Sequence, residues 1–336
     1  MFSNSCFFFT AVQAQAAWAH SMDVNFLGSG YNRPQGGSTG SGIYAGKEGV
    51  LSSLMATKPT TEMLVASVPK KTSQGRKEQA SPFRVIDPTK SMAGISMLQD
   101  NLVPYTTLPL TEEHVIQVLC HNALCCQFQV DMKVTHSSGY RYRLAVFNGV
   151  RSFTFRTGGI QVCAIIFCAN DELSSCGQIL DNPEAFSTMF ESISIEGNFL
   201  VDSDTLSANT LLREYNVMPA SHFSFETARG SYLHTYLDTK TTQSSLLTFG
   251  IYGRDFEKDG LPATEEGTSQ APEDRTMQAP EDRTTQAQED RTTQAPECPT
   301  TLKDDGNCVQ SIVFCSNIIA LVIVITVFFR RIIMWS

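Results

Sequence analysis

The chain has 336 residues, of which 42% are hydrophobic and 18% are charged, and its formal net charge is −9. At about 150 residues per domain, this length allows two domains or one domain with tails, and a wholly disordered chain is excluded. General nucleic-acid binding is disfavoured, because no excess of basic residues exists to displace counterions from phosphates. Most of the negative charge lies between residues 260 and 310, which hold 11 acidic and 4 basic residues.

The N-terminal part predicts one helix and two short strands. Residues 10–20 are rich in alanine, which favours a helix with Val12, Gln15, Ala16 and Ala19 on one face. Residues 24–27 predict a short buried strand and residues 43–45 another, with a glycine-rich loop over residues 28–42 between them. The apolar run at residues 2–12 resembles a signal peptide but lacks the basic residues that normally precede one.

The middle of the chain predicts a polar linker over residues 66–101, followed by an antiparallel β domain over residues 102–258. Apolar and polar residues alternate in several short runs, which lie at residues 115–119, 126–134, 140–147, 159–167, 191–199 and 246–252. Turn signals separate these runs, among them Ser137-Ser138-Gly139 and Asn148-Gly149. This spacing indicates a β-sandwich.

Six of the ten cysteines lie between Cys120 and Cys176, which is typical of a disulfide framework in an oxidising compartment. Zinc binding is the alternative. It is disfavoured because the same window holds only His121 and His136 and no pair of Cys-x-x-Cys motifs.

The C-terminal part predicts a stalk and a membrane attachment. An eight-residue unit begins at Gln270 and recurs with small changes at three later positions. Each unit has almost no large apolar residue to bury, so residues 259–308 are expected to be disordered and extended. Residues 312–329 are uncharged and long enough to span a bilayer core as a helix, and Arg330-Arg331 follows them as basic residues do on the cytoplasmic side.

Several segments resemble the vanin/biotinidase family. At the start of the chain these are AWA at 17–19, VNFL at 24–27 and TGSGIYA at 39–45. Further segments that resemble the family are CHNALCC at 120–126, the C-x4-C of Cys163 and Cys168, SCG at 175–177, LAVFNG at 144–149 and FGIYGRDFEK at 249–258.

The resemblance implies an α+β, mainly β fold. Residues 8–65 would be the remnant of a nitrilase-type (carbon–nitrogen hydrolase) α/β sandwich, and residues 102–258 a disulfide-stapled antiparallel β domain. We expect three disulfides, in one of 15 possible pairings, among six cysteines. These are Cys120, Cys125, Cys126, Cys163, Cys168 and Cys176.

The resemblance also implies hydrolysis of the amide bond of pantetheine or of biotin conjugates. The family uses a Glu base, a Lys and a Cys nucleophile, all upstream of the segment that this chain's start resembles. No acidic residue precedes Asp23 and no lysine precedes Lys47. We therefore expect this chain to contain no catalytic, cofactor-binding or metal-binding residues and to be inactive by itself. Catalysis by Cys6 with His20 is the least favoured alternative.

Two hypotheses remain for the chain's role. In the first it is a fragment of an amidase, and a small-molecule amide is the substrate of the full-length form only. In the second it is a non-catalytic, membrane-tethered extracellular binding or structural module. For the attachment itself, the resemblance implies a glycolipid anchor, with Asp305, Gly306 and Asn307 as possible attachment residues. A spanning helix over residues 312–329 is the interpretation we favour.

Overall fold

The computed structural model describes residues 4–8, 10–70, 91–153, 156–200 and 205–265. These ranges contain one α-helix, α1 (Ala11–Met22), and thirteen β-strands. The strands are β1 (Asn25–Gly28), β2 (Ser41–Ala45), β3 (Val50–Leu54), β4 (Thr106–Pro109), β5 (His114–His121), β6 (Leu124–Val134), β7 (Arg141–Phe153), β8 (Arg156–Cys168), β9 (Thr188–Phe199), β10 (Ser207–Leu212), β11 (Phe223–Arg229), β12 (Leu233–Thr239) and β13 (Leu246–Asp255).

Ten strands form two antiparallel five-stranded sheets that enclose a common core. Sheet 1 has the order β10-β13-β8-β7-β4, and sheet 2 has the order β11-β12-β9-β6-β5. In β6 the side chains alternate, so that Phe128 and Val130 are buried while Gln127 and Gln129 are exposed. The predicted mainly β class with antiparallel sheets is therefore confirmed.

The β7–β8 hairpin corrects one predicted turn. The sequence Asn148-Gly149 predicts a turn, but both residues lie inside β7, where they pair with Gln161 and Ile160 of β8. A Cβ on Gly149 would lie 2.5 Å from Oγ1 of Thr264, so this position needs glycine for close packing against that side chain. Pairing along both thirteen-residue strands outweighs the local turn preference.

Sheet 1 is covered on both faces. Every residue of β8 from Gly158 to Cys168 is buried, and β13 is buried from Leu246 to Arg254. Such continuous burial needs a layer on each side of the sheet. Sheet 2 supplies one layer, and the N-terminal segment with α1 supplies the other.

Helix α1 begins at a capping box, in which the Thr10 hydroxyl accepts from the Gln13 amide and the Gln13 side chain accepts from the Thr10 amide. Of the four residues predicted to share one face, Val12 and Ala19 are buried, whereas Gln15 and Ala16 are half-buried. The helix packs against both β2 and β10, which moves its buried side toward Gln13.

The small sheet β1-β2-β3 contains both predicted N-terminal strands. The prediction that the first is buried is wrong. Among the described residues, β1 pairs with β2 alone, at the edge of this sheet, and Leu27 is 67% exposed. In the described part of the chain, no helix has the length and apolar character needed to cross a bilayer. Residues 71–90 of the predicted linker, most of the predicted stalk and the apolar segment at 312–329 lie outside the described residues.

Candidate functional site

The contact between the N-terminal segment and sheet 1 brings together most of the chemically notable residues of the described chain. Its apolar part is aromatic. The ring of Phe7 lies 5.7 Å from that of Phe167 on β8, and the ring of Phe8 lies 6.0 Å from that of Tyr252 on β13. All four side chains are at most 1% exposed, so this contact is part of the protein's main core.

A pair of buried amides continues this contact. Nε2 of Gln13 donates to Oδ1 of Asn209 on β10 at 2.7 Å, and Nδ2 of Asn209 donates to the carbonyl of Phe8 at 2.8 Å. Gln13 also donates to the carbonyl of Phe7 at 2.8 Å. Buried amides need such partners, and these bonds fix how the helix sits on the sheet.

A buried ion pair forms the charged part of the contact. Arg151 on β7 pairs with Asp100, and their side chains are 10% and 1% exposed. The Asp100 carboxylate also accepts from the Ser5 hydroxyl at 3.0 Å and from the Phe7 amide at 3.3 Å. Neither residue belongs to a motif that sequence alone identifies. The only signal was an arginine that directly follows the apolar central part of β7.

Cys6 lies beside this ion pair and is the only free cysteine in the described part of the chain. Its Sγ lies 3.7 Å from Oδ2 of Asp100 and 3.9 Å from Oε1 of Gln99. Burial raises the pKa of the Cys6 thiol to about 12, and the nearby Arg151 offsets this only in part. The thiol is therefore protonated at neutral pH, whereas a catalytic cysteine needs its thiolate form.

His20 occupies different surroundings from Cys6. Its ring lies 5.6 Å from that of Phe223, and its Nδ1 is buried without a hydrogen-bond partner. Burial lowers the pKa of His20 to about 4, with a smaller contribution from the positive charge of Lys47. The structure gives Cys6 and His20 no shared hydrogen bond among the described residues, which argues against the alternative in which they act as a catalytic pair.

One serine, aspartate and histidine do meet, on the exposed face of sheet 2. The Ser192 hydroxyl donates to Oδ2 of Asp131 at 2.6 Å, and Nδ1 of His114 lies 2.5 Å from Oδ1 of the same carboxylate. Hydrogen bonds from both neighbours lower the pKa of Asp131. The carboxylate separates the serine from the histidine, whereas a catalytic triad needs the histidine in the middle. This arrangement does not activate the hydroxyl.

The six clustered cysteines form three disulfides. The pairs are Cys120–Cys125, Cys126–Cys163 and Cys168–Cys176. The first closes the turn between β5 and β6, the second joins sheet 2 to sheet 1, and the third ties the end of β8 to the following turn. In this arrangement none of the six is available to bind zinc, and the described residues contain no group of three potential metal ligands. The possible anchor residues Asp305, Gly306 and Asn307 lie outside the described residues.

Comparison with known proteins shows which family this chain resembles. Residues 95–259 match the family described as the Vanin C-terminal domain. The chain is 31% identical to Vanin-like protein 1 of Drosophila melanogaster over 293 residues, which cover 77% of this chain and 52% of that protein. It is 30% identical to Vanin-like protein 3 of the same organism over 277 residues, with the same coverage. It is also 27% identical to the pantetheinase of Homo sapiens over 268 residues, or 78% of this chain and 49% of that protein.

The chain therefore spans about half the length of the curated relatives it matches. The matched region includes the whole sandwich from β4 to β13 and its three disulfides. The other half of each relative lies outside the region that it shares with this chain.

Proposed function

Because this chain belongs to the vanin family, we propose that its described residues form the non-catalytic structural part of a vanin-type protein. The sandwich would act as a base that holds the N-terminal segment in place. Helix α1 and the small sheet β1-β2-β3 would be part of a carbon–nitrogen hydrolase domain. The proposal is supported by the nature of the contact, in which aromatic rings, paired amides and a buried ion pair lock the segment onto sheet 1.

One observation carries the non-catalytic assignment. The thiol of Cys6 is buried and protonated, and its polar neighbours are the carboxylate of Asp100 and the amide oxygen of Gln99. Burial disfavours the thiolate, and the described carboxylate beside the sulfur, that of Asp100, is already engaged by Arg151, the Ser5 hydroxyl and the Phe7 amide. Covalent attack on an amide carbonyl has no nucleophile at this position.

The experiment is an assay of the purified 336-residue chain with pantetheine, the substrate that the name of the pantetheinase relatives indicates. We expect no amide cleavage under conditions in which human pantetheinase, as the positive control, is active. Cys6→Ala is the matched variant. Cleavage by the chain that is lost in Cys6→Ala would overturn the proposal and assign the nucleophile to Cys6.

A second candidate is that amide hydrolysis belongs to a longer protein that includes this chain. The observation in its favour is that the relatives are about twice as long as the region they share with it. Translation of the genomic sequence upstream of the codon for Met1 tests this. An in-frame segment with the family's Glu, Lys and Cys motifs would support the amidase, and its absence would leave the structural module.

We further propose that the protein is held at the outer face of the cell membrane. The support is sequence-based and comes from the acidic repeats followed by the uncharged run at 312–329. Disulfides agree with an extracellular position, since they persist in oxidising compartments.

A further inference from the structure

A cleft of about 330 Å³ opens at the start of β7, where its pairing with β4 ends at Arg143. Residues of both sheets line it, from β6, β7 and β9, together with the β4–β5 connection and the turn after β8. Its volume is in the range of sites for small molecules. Neither the catalytic assignment nor the contact with the N-terminal segment uses this cleft.

Part of the cleft lining is apolar. Leu110 and Met132 contribute buried aliphatic side chains. Tyr140 and Tyr142 contribute rings whose hydroxyl groups already have partners, since the Tyr140 hydroxyl accepts from the Leu180 amide at 3.0 Å and the Tyr142 hydroxyl donates to a main-chain carbonyl at 2.7 Å. A ligand would meet the carbon atoms of these four residues, which favours a ligand with an apolar body.

Arg143 brings an incompletely paired guanidinium to the same cleft. Its Nη1 donates to the carbonyl of Asp171 at 3.0 Å, which fixes one end of the group. Its Nη2 makes only a long contact of 3.5 Å to Oγ1 of Thr107, and its Nε is buried with no hydrogen-bond partner. Nε and Nη2 form the edge of a guanidinium that donates two parallel hydrogen bonds to a carboxylate. A buried donor without a partner is unfavourable, so a ligand that accepts from this edge is stabilised.

The charges in the lining add up to a site for one negative charge. Arg141 and Arg143 contribute two positive charges, and Asp171 is the one carboxylate among the lining residues. Its Oδ1 lies 3.3 Å from Nε of Arg141, and its side chain is 82% exposed, so water weakens its competition with a ligand. A single excess positive charge beside apolar walls suits a monoanion better than a phosphate dianion.

We propose that this cleft binds a small organic monocarboxylate. The carboxylate accepts hydrogen bonds from Nε and Nη2 of Arg143, displacing the long contact to Thr107. The apolar chain of the ligand packs against Leu110, Met132 and the two tyrosine rings.

The test measures binding of pentanoate to the full chain, kept in a non-ionic detergent and labelled with ¹³C at its methionine methyl groups. The methyl resonance of Met132, assigned with Met132→Leu, reports from inside the cleft. We expect pentanoate to shift this resonance in a saturable way and pentanamide, which has the same shape without the charge, to leave it unchanged. Equal shifts with both compounds, or none with pentanoate, would overturn the proposal without any need for a variant.

Variants then test whether Arg143 supplies the positive charge that binds the carboxylate of the ligand. Arg143→Gln should weaken pentanoate binding by at least about tenfold, because it removes the charged fork. Arg156→Gln is the matched control, since Arg156 is exposed at the opposite end of the same hairpin. It should leave the affinity unchanged. Unchanged binding in a folded Arg143→Gln variant, or inorganic phosphate binding as tightly as pentanoate, would exclude the proposed carboxylate site.

Discussion

The guanidinium of Arg151 and the carboxylate of Asp100 form an ion pair that joins β7 to the segment preceding the sandwich, almost out of contact with water. The carboxylate is also held by the Ser5 hydroxyl and the Phe7 amide. The Asp100 carboxylate therefore joins its own segment to β7 and to the N-terminal segment. Removal of this carboxylate is the sharpest test of the contact between the N-terminal segment and sheet 1.

Asp100→Ala is expected to lower the free energy of unfolding by about 3–5 kcal/mol, because it removes the carboxylate that pairs with the buried guanidinium of Arg151. Urea titration followed by circular dichroism measures this. Glu191→Ala is the control, since it breaks an ion pair with Lys133 whose side chains are about half exposed, and it should change the stability little. Equal effects of the two substitutions would contradict the structure.

The disulfide pairing is tested by mass mapping of peptides from the non-reduced protein. We expect to find the pairs Cys120–Cys125, Cys126–Cys163 and Cys168–Cys176. Free thiols at these positions, or other pairings, would show the arrangement to be wrong.

The same bonds should differ in their contribution to stability. The bond that joins the sheets closes a chain separation of 37 residues and the one at the β5–β6 turn closes 5. Chain entropy then gives about 4 kcal/mol for the first and about 2 kcal/mol for the second. Replacement of Cys126 and Cys163 together by alanine should therefore lower the stability more than the same replacement of Cys120 and Cys125. The opposite order would argue against loop closure as the source of the difference.

Cys6 is expected to resist alkylation in the folded protein. Its raised pKa of about 12 means that the thiolate stays rare until the pH approaches that value, whereas the unfolded thiol ionises near 9. Iodoacetamide at pH 8 should modify Cys6 only after urea is added, and peptide mass spectrometry locates the adduct. Rapid modification of the native chain would mean that the thiol is exposed.

His20 should make the protein sensitive to mild acid. Its pKa is about 4 in the folded protein and 6.5 when unperturbed, so as the pH falls the unfolded state binds the proton first. Stability from this group is present above pH 6.5 and is lost as the pH falls toward 4, by up to about 3 kcal/mol. Urea midpoints at pH 7, 5.5 and 4.5 should fall more steeply for the wild type than for His20→Asn. Parallel curves would rule out the buried neutral imidazole.

The proposed attachment is tested on cells that express the protein. A spanning helix over residues 312–329 predicts that phosphatidylinositol-specific phospholipase leaves the protein on the surface. A known glycolipid-anchored protein on the same cells is the control. Release of this protein by the enzyme would instead assign the anchor to the region of residues 305–307.

The pattern of short apolar runs was enough to predict six of the ten strands of the sandwich, as β6 illustrates, but it did not identify β4, β10, β11 or β12. Contacts between distant residues were not predictable in this way. Cys120 and Cys125 lie opposite each other in the β5–β6 ladder, but their pairing depends on the register of that hairpin. The bond between Cys126 and Cys163 depends on how the two sheets stack. The cysteine content predicts that such bonds exist, and strand register together with sheet stacking decides which cysteines they join.

The errors have the same origin. Asn148-Gly149 was predicted as a turn because the local preference is strong, but the pairing partners that override it lie on another strand. Gln13 is buried because of Asn209, which is 196 residues further along the chain. A helical pattern alone places a glutamine on the polar face, and no signal within α1 indicates this partner.

The long-range bonds between Gln13 and Asn209 also bear on biosynthesis. During translation, Phe7 and Phe8 leave the ribosome long before β8 and β13, whose residues Phe167 and Tyr252 pack against them, have been made. Synthesis proceeds at about 5–20 residues per second, so these rings remain uncovered for about 10–40 seconds. Folding of the segment around Phe7 and Phe8 therefore has to wait for the end of the sandwich, and the nascent chain exposes these two aromatic residues to chaperones throughout that interval.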